Sequence, residues 1–122
     1  MTESDLDTAR VRAGRNQSMF REVNERIEEL SQQWAAPPQF VCECENTRCV
    51  ETIALSVEEY ELVRSDPASF FVTPGHEVPE VEETVSSTDR YVVVRKLGVG
   101  RSVALRFDSR QDGARAPAAC LP

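Results

Sequence analysis

Pro37-Pro38 divides this chain into two stretches with different periodicities. No proline precedes the pair. Proline lacks the N–H that a helix needs and pushes the residue before it out of helical φ/ψ, so any helix formed upstream must end there.

Upstream, Phe20, Val23, Ile27, Leu30 and Trp34 recur at spacings of 3, 4, 3 and 4, which stripes one face of a helix. The register reaches back through Asn16, Ala13, Ala9 and Leu6, and Glu22 with Arg26 adds an i,i+4 pair. The reading is a disordered polar N-terminus over residues 1–8 and an amphipathic helix over 9–36. A stripe this narrow packs either on the chain's own small domain or as a seam against another helix, with Asn16 setting register. The face Phe20, Val23, Ile27, Leu30 and Trp34 is therefore the candidate partner-binding surface, for self-association or an unidentified protein partner.

Downstream the period shortens. Gln39–Cys42 and Val50–Leu55 read as two short strands around the polar turn Glu45-Asn46-Thr47-Arg48. Ser56-Val57-Glu58-Glu59 is a capping box that opens a short helix to about Ser65, with Val57, Tyr60 and Val63 or Arg64 inward, and Asp66-Pro67 ends it. Phe70–Val72, Glu80–Ser86 and Tyr91–Leu97 read as strands, and the alternation Val103, Leu105, Phe107 suggests a last one. Residues 37–108 thus form a small α+β domain, mostly antiparallel with one short helix, and residues 109–122 read as a disordered tail.

Three of the four cysteines, Cys42, Cys44 and Cys49, fall at the end of the first hairpin. The single histidine, His76, is presented by Thr73-Pro74-Gly75, a turn signal with Gly75 suited to positive φ. Three thiolates and an imidazole make a common tetrahedral zinc set, Cys₃His. The spacing is not the usual Cys-x₂-Cys knuckle, so the match is to ligand chemistry. Backbone N–H donors to the sulfurs are expected, with Arg48 as a nearby cation. Alternatives are an iron–sulfur cluster, for which Cys120 in the tail is a poor fourth ligand, a disulfide to Cys49, or unligated thiols. Below about seventy residues a hydrophobic core alone is marginal, so a structural zinc clamping the hairpin to the His76 loop would supply folding free energy.

Other chemistry is poorly served. A nucleophilic cysteine would take the one histidine as its base and leave two cysteines unexplained. Glu77 is the only carboxylate beside His76, Gly98-Val99-Gly100 lacks the rest of a phosphate-binding motif, and Glu80, Glu82 and Glu83 protect a strand edge. The expectation is that no residue is catalytic. Residues 35–94 carry twelve acidic side chains against three basic, which disfavours nucleic acid except at the ends, where Arg10, Arg12, Arg15 and Arg21 cluster.

The start Met1–Arg10 is acidic where a signal peptide is basic, and no run approaches the roughly twenty apolar residues of a membrane span. The expected location is cytoplasmic, where thiols stay reduced. Thirteen of the fourteen basic residues are arginine, as in GC-rich bacteria.

Phe40–Cys49, Ile53–Arg64, Pro74–Glu77 and Tyr91–Lys96, with the helix Arg15–Leu30, resemble a group of small actinobacterial proteins that share a Cys-x-Cys-x₄-Cys segment and a Pro-Gly-His loop. The resemblance spans residues 15–97 and implies that Cys42, Cys44, Cys49 and His76 act as one constellation; it implies no particular activity. The expectation for the whole is a zinc-stabilised, non-enzymatic interaction or regulatory module. A thiol-based redox or metal-responsive regulator and a nucleic-acid-binding regulator are the alternatives.

Overall fold

The computed structural model describes residues 2–33 and 36–110. Trp34, Cys120 and nearly all of the expected tail lie outside them. The fold is α+β: one long helix, α1 (Glu3–Ser31), followed by small antiparallel sheets and short helices.

The helix starts earlier than its apolar stripe suggests. Thr2 accepts from the Asp5 N–H at 3.0 Å, and the Asp5 carboxylate accepts from the Thr2 N–H at 3.4 Å. This Thr-x-x-Asp capping box makes residues 3–8 helical rather than disordered, and the acidic first turn complements the helix dipole. The helix ends at Ser31, short of residue 36.

Two sheets follow. Strands β1 (Gln39–Val41) and β2 (Thr52–Ala54) pair with Phe40 opposite Ile53. Helix α2 (Val57–Arg64) opens with the expected capping box, Ser56 Oγ accepting from Glu59 N–H at 3.0 Å. Tyr60, Val63 and Arg64 point inward, but Val57, expected inward, is 36% exposed. Strands β3 (Ser69–Val72), β4 (Glu82–Ser87) and β5 (Val92–Lys96) form the second sheet in the order β3-β5-β4, with a register shift in β4 between Thr84 and Ser86.

The expected last strand is instead a helix, α3 (Val99–Arg106). The alternating apolar residues misled because the binding surface is made by small ones: Gly100 and Ala104 are buried one turn apart and face Ala13 and Gly14 of α1. A methyl group built on Gly14 would sit 3.0 Å from Val103 Cγ1, and one on Gly100 would sit 3.1 Å from the Arg10 carbonyl oxygen. Close helix crossing thus requires glycine on both sides.

The core gathers Phe40, Tyr60 and Phe71 with Ile53, Leu55, Val72 and Val94. Phe40 stacks on Tyr60 at 4.4 Å, and Phe71 meets both edge-on at about 6 Å. Such pairs add about 0.5–1.5 kcal/mol each beyond area burial.

The face of α1 turned to this core is polar. Gln17, Arg21, Asn24 and Glu25 are buried, while Val23 and Leu30 are more than 40% exposed and Phe20 and Ile27 sit at the boundary. The predicted apolar stripe therefore straddles the edge of the domain. Gln17, Arg21, Asn24 and Glu25 each make side-chain hydrogen bonds instead, as burial demands. Arg21 donates to the carbonyls of Pro67 and Ser69 and lies 3.7 Å from the Phe70 ring centroid. Gln17 donates to Glu82, which is buried rather than guarding the strand edge as expected and pairs with buried Lys96 at 3.2 Å. Glu25 accepts from the Tyr60 hydroxyl at 2.5 Å and pairs with Arg64 and Arg110. Arg110, at the start of the expected tail, is anchored to Glu25, Glu28 and Glu61.

Candidate metal centre

The residues expected to hold a metal come together. One donor atom from each of Cys42, Cys44, Cys49 and His76 lies within 4.8 Å of the other three. The site takes Cys42 and Cys44 from the segment leaving β1, Cys49 from the far side of the hairpin turn, and His76 from the loop after β3.

Each element is aimed by local hydrogen bonds. Asn46 closes the hairpin turn, its carbonyl accepting from Cys49 N–H and its side-chain oxygen from Arg48 N–H, both at 3.0 Å. Asn and Asp favour such turns because the side chain mimics a backbone acceptor. In the second loop His76 N–H donates to Thr73 O at 2.9 Å across Pro74-Gly75, and Gly75 has φ +95°, which a side chain would strain. Glu77 accepts from Gly75 N–H at 2.8 Å, so its carboxylate braces the turn.

His76 Nδ1 lies 3.6 Å from Cys42 Sγ and 3.7 Å from Cys49 Sγ. A tetrahedral Zn²⁺ with Zn–S of about 2.3 Å and Zn–N of about 2.0–2.1 Å holds sulfur and nitrogen about 3.6 Å apart. The donor set and these two separations therefore fit a tetrahedral ion.

The surroundings favour thiolate at Cys42. The Cys42 thiol is pulled down to about 5, first by the hydrogen bond from Cys44 and then, against the cost of burial, by Thr73 N–H at 3.2 Å from its sulfur. Cys44 is pushed up, because its own S–H is the donor to the Cys42 sulfur and it is itself desolvated. A cation between them would displace that proton. Thr73 supplies the backbone donor expected at the sulfurs; the Arg48 side chain is exposed in the turn.

Sequence reasoning missed two contributors. Glu51 Oε2 lies 3.1 Å from His76 Nε2, so with Nδ1 turned to the thiols the far ring nitrogen donates to a carboxylate. The signal was the hairpin register: Cys42 N–H pairs with Glu51 O at 3.0 Å, placing Glu51 opposite the first ligand. The second is Glu43, between two ligands and fully buried, its oxygens accepting from Asn24 Nδ2 at 2.9 Å and Phe71 N–H at 3.3 Å. Burial pushes its carboxyl up to about 7 despite Arg21 and these donors.

A cleft of about 250 Å³, lined by Cys44, Glu45, Asn46, His76 and Val78, opens beside the cluster. Cys42 and Cys44 are buried and Cys49 is half-buried. Among the described residues no helix is long and apolar enough to cross a membrane.

No family model matches this chain, and neither the curated proteins nor the solved structures contain a significant match to it.

Proposed function

We propose that this chain is a zinc-stabilised, non-enzymatic interaction or regulatory module. The observation that carries the reading is the convergence of three sulfurs and a His76 ring nitrogen within 4.8 Å of one another, with Nδ1 at the distance from Cys42 and Cys49 that a tetrahedral ion would impose. Four protein donors fill a tetrahedron and leave no position for substrate, which is the arrangement of structural rather than catalytic zinc. Cys42, Cys44, Cys49 and His76 would hold the ion. It would tie the first hairpin to the loop after β3, a large contribution in a domain this small.

The interaction surface is the outward side of α1. Val23 and Leu30 are exposed together with Met19, while Phe20 and Ile27 border them, so the row offers apolar contact to a protein partner or a second copy. Asn16 does not set a seam; its side chain donates to Glu45 O at 2.9 Å. The nucleic-acid alternative loses support, because Arg21 is buried and Arg10 donates to Glu80 O.

The half-buried Cys49 favours a second reading, a thiol-based regulator in which oxidation of zinc thiolates releases the ion. Elemental analysis of the purified protein tests the first reading: about one zinc per chain supports it, and a metal-free protein indifferent to chelators sinks it. Zinc loss under mild peroxide, reversed by thiol reductant, would move the assignment to the second.

A further inference from the structure

The cysteine segment has two sides. Cys42 and Cys44 turn to the metal cluster, while the residues alternating with them, Val41, Glu43 and Glu45, are held by α1. Asn24 makes three of these contacts. Its Nδ2 donates to Val41 O and to Glu43 Oε2, both at 2.9 Å, and its Oδ1 accepts from Val41 N–H at 2.7 Å. A side-chain amide thus pairs with β1 as a neighbouring strand would. Two turns nearer the N-terminus, Asn16 Nδ2 donates to Glu45 O.

The lengths agree. Eight helical residues from Asn16 to Asn24 rise about 12 Å, and four extended residues from Val41 to Glu45 span about 13 Å. The helix therefore splints the ligand-bearing segment along its whole length, with the two running in opposite directions. Glu43 completes the brace, since its N–H donates to Phe71 O and its carboxylate accepts from Phe71 N–H, fixing the segment to β3 as well.

We infer that Asn24 and Glu43 are positioning residues for the metal centre, and that metal occupancy and the seating of α1 are reciprocally coupled. The inference rests on the zinc reading above. A bound ion fixes Cys42 and Cys44, which sets the alternation that presents Val41, Glu43 and Glu45 to α1. Conversely, a seated α1 preorganises two of the four ligands. Linkage makes the effects equal in free energy: whatever α1 adds to metal affinity, metal adds to the docking of α1. Release of the ion would loosen α1 and uncover its polar inner face, Gln17, Arg21, Asn24 and Glu25. The chain would then report its metal state through a helix rather than through the site itself.

The test is hydrogen exchange of the full chain, zinc-loaded and after chelation, with zinc affinity measured in parallel by chelator competition. The expected result is lost protection in α1 and residues 41–45, with β3 and β5 retaining theirs. Asn24→Ala should weaken zinc binding about 10-fold or more, as removal of ligand-orienting groups generally does. Glu22→Gln, on the exposed side of α1, should leave the affinity unchanged. If the protein binds zinc but α1 exchanges identically in both states, or if all elements lose protection together, the coupling is overturned while the zinc reading stands. If no zinc binds, both fall. Should Asn24→Ala not fold, the wild-type exchange comparison alone decides.

Discussion

Glu51 Oε2 sits 3.1 Å from His76 Nε2, on the side of the ring away from the thiols. This contact fixes the imidazole tautomer: with the proton held at Nε2 by the carboxylate, Nδ1 keeps its lone pair for a metal. Glu51→Gln should therefore lower zinc affinity by about 10-fold while Cys42, Cys44 and Cys49 remain in place. Chelator competition would measure it. The Glu51 side chain is more than half exposed, so thermal stability of the zinc-saturated variant should barely move, and that difference separates orientation of a ligand from structural support.

Removing a ligand has a larger effect. Cys44→Ser or His76→Ala should release about one equivalent of zinc and lower the melting temperature, since the binding free energy of a structural zinc is folding free energy. Zinc content and calorimetry on the same samples would check it. A variant that melts like the parent yet contains no metal would show that the cluster contributes nothing to the fold.

The legible parts of the sequence were those in which one local signal decided the outcome. Ser56 with Glu59, Pro74-Gly75 before His76, and the apolar run Val92–Val94 each specify their element within a few residues. The ligand cluster was legible because thiolate and imidazole chemistry restricts what three cysteines and a lone histidine can do. The inner face of α1 was not. Gln17, Arg21, Asn24 and Glu25 look like a solvated face until the groups that satisfy them, Val41, Ser69, Tyr60, Glu82, are brought from 17 to 65 residues away. Nothing local to the helix encodes those partners. Helix α3 was misread for a related reason: Gly100 and Ala104 matter only because Gly14 of α1 approaches them.

The buried Tyr60–Glu25 contact gives a stability prediction. Tyr60→Phe removes a hydroxyl whose oxygen lies 2.5 Å from Glu25 Oε2 inside the core. Glu25 keeps Arg64 and Arg110, so it is not stranded. The expected cost is that of a hydrogen bond to a charged group, about 1.5–3 kcal/mol, read from urea denaturation with an unchanged m-value.

Stability should fall on both sides of a mildly acidic optimum. Burial raises Glu25, but hydrogen bonds from Arg110 and Tyr60 outweigh it and hold the carboxyl below its ordinary value, while Arg110, with Glu28, brings Glu61 down to about 2. Depressed carboxyls contribute stability above their ordinary pKa and lose it as pH falls, here between about 4.5 and about 2. Glu28 has the opposite sign. Burial and the neighbouring Glu61 push it up to about 8, so the unfolded chain ionises first and stability declines from about 4.5 to about 8. Glu28→Gln should shrink that decline to the part contributed by buried Glu43, itself pushed up to about 7, and keep most of the acid limb, which Arg110 maintains, as measured by denaturation at saturating zinc across the pH range.

The outward row of α1 can be tested without dismantling the domain. Deleting the helix would also remove Arg21, Asn24 and Glu25 from the interior and so change far more than the outward row. Leu30→Glu avoids this, because Leu30 is 41% exposed and has no part in the metal cluster or in the polar network beneath the helix. Exposed substitutions of this kind usually change stability by no more than about 0.5 kcal/mol, so melting temperature and zinc content should match the parent. If the row is an interface, a charge placed on it should abolish self-association seen by light scattering, or capture of the partner, because an unpaired charge buried in an apolar contact is far costlier than the contact is worth. A Leu30→Glu protein with unchanged mass and unchanged partners would remove this face from the functional account and leave the metal-facing side of α1 as the helix's whole purpose.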